Sequence, residues 1–93
     1  MLENLRKDID EIDEQIAALL IHRAAISKKI GIIKAKAGLP VFDAERELSV
    51  IQKIGHKTAD DCEATALVNI YRAILEESRT LQTNILVGEK AAK

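Results

Sequence analysis

A ladder of Leu and Ile at alternating spacings of three and four, Leu2, Leu5, Ile9, Ile12, Ile16, Leu19, Ile26, Ile30 and Ile33, runs through the first third of the chain. Spacing of that kind puts every rung on one stripe of a single α-helix, because about 3.6 residues complete a turn. The ladder predicts a helix from Leu2 to about Lys36, with Gly31 inside it costing roughly 1 kcal/mol relative to Ala. At about 1.5 Å per residue such a helix is on the order of 50 Å long. Two shorter helices in a chain of 93 residues do not cover that stripe over its full length, so a second copy of the chain is the natural partner. One rung breaks the pattern. Arg23 occupies a seam whose other positions are Ile and Leu, and a charge there requires a partner or a ligand.

Gly38 and Pro40, within Ala37 to Val41, supply the turn that ends the first helix. Asp43 follows as an N-cap, and a short second helix is expected from Ala44 to about Ile54, with Leu48, Ile51 and Ile54 facing inward and Gly55 near its end. Thr58, Asp60 or Asp61 caps a third helix running to about Val87, its seam formed by Leu67, Tyr71, Ile74, Leu81 and Ile85. Residues 88–93 read as a flexible tail. Strand-like runs and hairpin dipeptides are missing, and no linker or internal repeat divides the chain. The expectation is one all-α domain over residues 1–93 with three helices, one of them very long.

Several function classes are disfavoured by composition. The formal net charge is −1 and aromatic residues make up 2%, which leaves neither the basic stripe nor the stacking platform of a nucleic-acid binder. No apolar run reaches membrane-spanning length, and the opening MLENLRKDID lacks the basic start and apolar core of a signal peptide, so a cytoplasmic protein is expected. The single cysteine, Cys62, excludes an intrachain disulfide and a cysteine cluster for zinc, and reads as a buried or half-buried thiol. His22 and His56 lie in different segments without acidic or cysteine ligands at metal spacing, and read as solvated.

Six polar residues interrupt apolar faces: Arg23 and Lys34 on the first helix, Arg46 and Glu47 on the second, Ser78 and Gln82 on the third. Arg23 and Lys34 are eleven residues apart, close to three whole turns, and therefore point the same way. Taken singly, each has a bland explanation, snorkelling to water or an internal ion pair such as Arg23 with Glu47. Taken together, polar groups from three helices converging on one face point to a site. No nucleophile stands beside a base, no carboxylate pair or metal-ligand cluster appears, and no glycine-rich phosphate loop exists. What remains is a cationic pocket with one carboxylate and two neutral hydrogen-bonding groups, suited to holding a small dianion and stabilising charge that develops in it.

These residues resemble the all-helical, type II class of chorismate mutases, small intertwined homodimers of aromatic amino-acid biosynthesis. The similarity runs from about Leu2 to Leu86. Leu5-Arg6 resembles the family's opening, Ile21-His22-Arg23 its central arginine segment, and Gly31-Ile32-Ile33-Lys34 places its lysine. Pro40-Val41-Phe42-Asp43-Ala44-Glu45-Arg46-Glu47 is similar to its turn and second-helix start, and Glu77-Ser78 with Gln82 to its third-helix signature. The resemblance implies a Claisen rearrangement of chorismate to prephenate without a cofactor. It implies that Arg23 and Arg6 of the partner subunit bind the substrate carboxylates, that Lys34 and Gln82 meet the ether oxygen, and that Glu47 and the backbone around Asp43 take the hydroxyl. Arg46 and Ser78 would complete the carboxylate side. The same fold also carries an isochorismate-pyruvate lyase, amino-chorismate mutases and, as a different class, a non-catalytic dimerisation or regulatory module. Asp43, Arg46 and Glu47 together favour the mutase over the lyase, and the module would be expected to have lost a pocket residue.

Overall fold

The computed structural model describes the backbone of residues 1–91 and the side chains of residues 1–88. Three helices form, α1 (Leu2–Ala37), α2 (Ala44–Gly55) and α3 (Asp61–Ala91), and no strand is present among the described residues. The stop signals act where the sequence places them. Gly38 adopts the left-handed conformation (φ 69°, ψ 23°), and the N–H groups of Gly38 and Leu39 return to the carbonyls of Ala35 (3.4 Å) and Lys34 (2.9 Å). Paired bonds of this type close a helix end in a Schellman motif. The chain therefore reverses one turn after Lys34, at Gly38.

At α2, Asp43 is the N-cap, its Oδ1 accepting from the Arg46 N–H at 3.0 Å. Of the three candidate caps for α3, Asp60 serves, accepting from the Glu63 N–H at 2.8 Å. Helix α3 does not stop at Val87 but continues to Ala91. Gly88 keeps an ordinary φ, and one glycine inside a helix costs only about 1 kcal/mol. The expected tail is therefore helical through its first four residues, while Ala92 and Lys93 lie outside the described residues.

Helix α3 packs against both α1 and α2, which do not pack on one another. The pairings Arg23–Ser78 and Gly31–Gln82 show α1 and α3 running in the same sense, while α2 runs the opposite way along α3, Glu47 meeting Arg79 and Gly55 meeting Val68. The molecule measures 58 × 26 × 13 Å. Its smallest dimension is about one helix diameter, so the three helices form a single layer. A layer has no interior until its apolar face meets another. Accordingly Leu75, at 7% exposure, is the one buried apolar side chain among the described residues. The ladder lies open along α1, with Ile9 56% and Ile16 47% exposed. Leu48, expected inward on α2, is also exposed. Cys62 is exposed too, in the first turn of α3, and not the buried or half-buried thiol expected. His22 and His56 are exposed, as anticipated. No described helix is long and apolar enough to cross a membrane.

Candidate active site

The C-terminal part of α1, the start of α2 and the later turns of α3 enclose a cleft of about 350 Å³. All six side chains that interrupt apolar faces line it: Arg23 and Lys34, Arg46 and Glu47, Ser78 and Gln82. Asp43 joins them where the chain enters α2. Arg6 does not. It is exposed on α1 seventeen residues before Arg23, on the order of 25 Å away along the helix axis.

Gln82 is the buried centre of the site, at 8% exposure. Lys34 Nζ donates to its Oε1 at 2.9 Å, and its Nε2 donates to Ser27 Oγ at 3.1 Å. An ammonium group only donates, so the amide oxygen must face Lys34 and the amide nitrogen must face Ser27. Ser27, at 4% exposure, leans in turn toward the Ser78 carbonyl at 3.4 Å. Lys34 Nζ also donates to the Val41 carbonyl at 2.7 Å. Two of its three N–H bonds are thus used by the protein. The third remains for a ligand, as does the second N–H of the Gln82 amide.

This arrangement depends on a close helix approach. A Cβ on Gly31 would meet the Gln82 Cα at 3.1 Å and its Cγ at 3.2 Å, tighter than packed side chains tolerate without movement. Gly31 and Ser27, one turn apart on α1, make the small surface against which Gln82 lies. Gly31 thus has a structural use beyond its helix-propensity cost.

Arg23 donates through Nη1 to the Ser78 hydroxyl. Its remaining guanidinium N–H groups are available to the planar, two-pronged contacts that carboxylates accept. Glu47 does not pair with Arg23, the alternative considered from sequence. Its Oε1 accepts from Arg79 Nη1 instead. The Arg79 guanidinium carbon also stands 5.5 Å from the centre of the Phe42 ring, a cation–π distance. Four cationic side chains, Arg23, Lys34, Arg46 and Arg79, face two carboxylates, Asp43 and Glu47, around the cleft. The excess is positive, which matches a dianionic ligand. No cluster of side chains able to hold a metal ion occurs among the described residues.

Sequence reasoning missed Ser27 and Arg79. Ser27 has a usable signal, a small residue one turn before Gly31 on the same face. Arg79 has a weaker one, since it adjoins Ser78 but stands beside the seam and not in it.

Comparison with known proteins follows the same lines. The family model for chorismate mutase type II matches residues 5–83. A bifunctional chorismate mutase/prephenate dehydratase of Aquifex aeolicus is 42% identical over 91 residues, which is 94% of this chain and 25% of that protein. A chorismate mutase of Methanocaldococcus jannaschii is 30% identical over 86 residues, covering 91% of this chain and 87% of that protein. An intracellular chorismate mutase of Mycobacterium tuberculosis is 36% identical over 52 residues, 56% of this chain and 50% of that protein. The chain therefore spans a quarter of the length of the bifunctional relative and most of the archaeal one.

Proposed function

The chain belongs to the type II chorismate mutase family, and on that premise we propose that its cleft binds chorismate and isomerises it to prephenate by a cofactor-free Claisen rearrangement. The observation that carries this reading is the Lys34–Gln82–Ser27 chain of hydrogen bonds lining the cleft. In the rearrangement one carbon–oxygen bond breaks as a carbon–carbon bond forms, and no proton or group leaves or enters. Negative charge builds on the ether oxygen as its bond stretches. A fixed ammonium and a fixed amide N–H aimed there stabilise the transition state more than the ground state, which is the requirement for raising the turnover number. Because Val41 and Gln82 already hold Lys34 Nζ, little reorganisation is needed when that charge appears.

Binding falls to the other groups. Arg23, oriented by Ser78, takes one carboxylate, with Arg46 alongside. Glu47 and the backbone at Asp43 accept the ring hydroxyl, the Asp43 carboxylate being engaged as the α2 cap. Holding both ends of the substrate confines its flexible enolpyruvyl arm to the reactive geometry, an effect worth several kcal/mol, up to about 7–11 in the best-oriented cases.

The working unit in this reading is a homodimer. A single layer about one helix thick with an open isoleucine ladder favours a second copy on that face. Arg6 is too far from Arg23 along one helix to share a ten-carbon substrate with it. Arg6 of the partner subunit, brought back by a helix running the other way, supplies the second carboxylate contact. Each dimer then has two equivalent sites.

Following chorismate absorbance on addition of purified protein tests the reading, with the product identified. Prephenate is expected. Release of pyruvate would point instead to a lyase on the same fold, and no consumption would leave a non-catalytic helical dimer.

A further inference from the structure

Arg79 lies outside the six residues that first marked the site, yet it lines the cleft and pairs with Glu47. We infer that Arg79 is a positioning residue that fixes the Glu47 carboxylate to receive the substrate hydroxyl and pins the start of α2, with the loop before it, onto α3. The inference rests on the reading of the cleft as a chorismate site.

Three observations carry it. Arg79 engages Oε1 of Glu47, while Oε2 accepts from no side chain or backbone group among the described residues. One oxygen is held and the other is left to accept. Without that hold, the Glu47 carboxylate shares a cleft with Lys34, Arg23 and Arg46. It would be free to swing onto Lys34 and neutralise the charge needed at the ether oxygen.

The second observation concerns architecture. Because α1 and α2 do not pack on each other, the α2 wall of the cleft is held by α3 and by contacts of the connecting loop. Two consecutive loop residues are gripped from opposite walls. Lys34 on α1 holds the Val41 carbonyl at 2.7 Å, and Arg79 on α3 stands 5.5 Å from the centre of the Phe42 ring. A guanidinium can stack on a ring through its face while donating through its edge, a combination an ammonium cannot match.

The third is exposure. The side chain of Arg79 is 34% exposed and that of Glu47 21%, so the pair is part-buried and its contribution to global stability is reduced, though not abolished, by solvent screening. Its larger effect should therefore appear in substrate binding, with only a small one in unfolding.

The test is a double-variant cycle in the full chain, measuring KM, kcat and thermal unfolding for Arg79→Met, Glu47→Gln and both together. Arg79→Met should raise KM about tenfold with a smaller change in kcat, and shift the unfolding midpoint by no more than about 3 °C. The double variant should be no worse than the weaker-binding single variant by more than about twofold, since both changes remove one interaction. Arg79→Lys should recover part of the loss, keeping the charge but not the stack; if Arg79→Met does not fold, Arg79→Lys carries the cycle. An unchanged KM in the arginine variant, or losses that multiply in the double variant, would overturn the assignment. Wild-type protein that leaves chorismate untouched overturns the site reading and this inference with it, whereas active wild type with multiplying losses overturns the role of Arg79 alone.

Discussion

The two halves of α1 carry the same ladder and meet different fates. From Leu2 to His22 every position is exposed, including Ile9, Ile12 and Ile16. From Arg23 to Lys34 the helix lies against α3, buries Ser27 and Gly31, and presents Arg23 and Lys34 to the cleft. The two halves have the same helix pattern and different neighbours. What sets the second half apart is the small surface of Ser27 and Gly31, which lets α3 come close enough for Gln82 to reach Lys34. The first half buries none of its residues, and only its last turns, at Leu20, come near Ile70 and Ile74 of α3. In the function proposed here, the second half serves as the site and the first as an interface with a second copy.

That contrast can be broken most severely at the catalytic end. Lys34→Ala removes the ammonium aimed at the developing charge and should lower kcat by about three orders of magnitude. The helical circular dichroism should stay intact, because Lys34 lies on the cleft wall and not in a packed core. A rate within tenfold of wild type would separate Lys34 from the chemistry.

The interface end is probed by Ile12→Asp. On an exposed stripe that change would be nearly neutral. Against a second copy it removes an apolar contact and places an unpaired charge there, costing about 3 kcal/mol per chain or more. Sedimentation should show dissociation to monomers and a lower, concentration-dependent unfolding temperature. A variant as stable and as large as wild type would mean that the ladder has no partner.

A smaller effect is expected at the boundary between the two surfaces. Gly31→Ala gains up to about 1 kcal/mol of helix propensity, but the new Cβ presses on the Gln82 backbone and stem. Overpacking of this kind typically costs about 1–3 kcal/mol, so a net loss of roughly 1 kcal/mol is expected. Displacing Gln82 should also lower kcat by about tenfold. Denaturant unfolding with steady-state kinetics reads both effects, and a stabilised variant with full activity would show that the close approach is incidental.

Much of this architecture is legible in the sequence because it is local. Periodicity marks the three helices, Asp43 and Asp60 cap by their own side chains, and Gly38 stops α1 where a left-handed residue is needed. The eleven-residue spacing of Arg23 and Lys34 also suffices to aim them at one cleft. Less legible is whatever depends on how far apart two helices settle. Ser27 looks like a filler in an apolar stripe until Gln82 is seen against it, and the partner of Glu47 is set by the packing of α2 on α3 and not by spacing along either helix. Leu48 illustrates the same point in reverse. Its position in the helical pattern looks inward, but a single layer leaves it exposed.

The central claim is that one cleft is completed by two chains, and complementation tests it most directly. Arg6→Ala and Arg23→Ala proteins are each expected to lose nearly all activity, since every site in either homodimer lacks one arginine. After equal mixing with subunit exchange, half of the dimers are mixed, and each mixed dimer regains one complete site out of two. About a quarter of wild-type activity should therefore return. If exchange is demonstrated by mass and no activity returns, Arg6 does not act across the interface and the shared site is wrong.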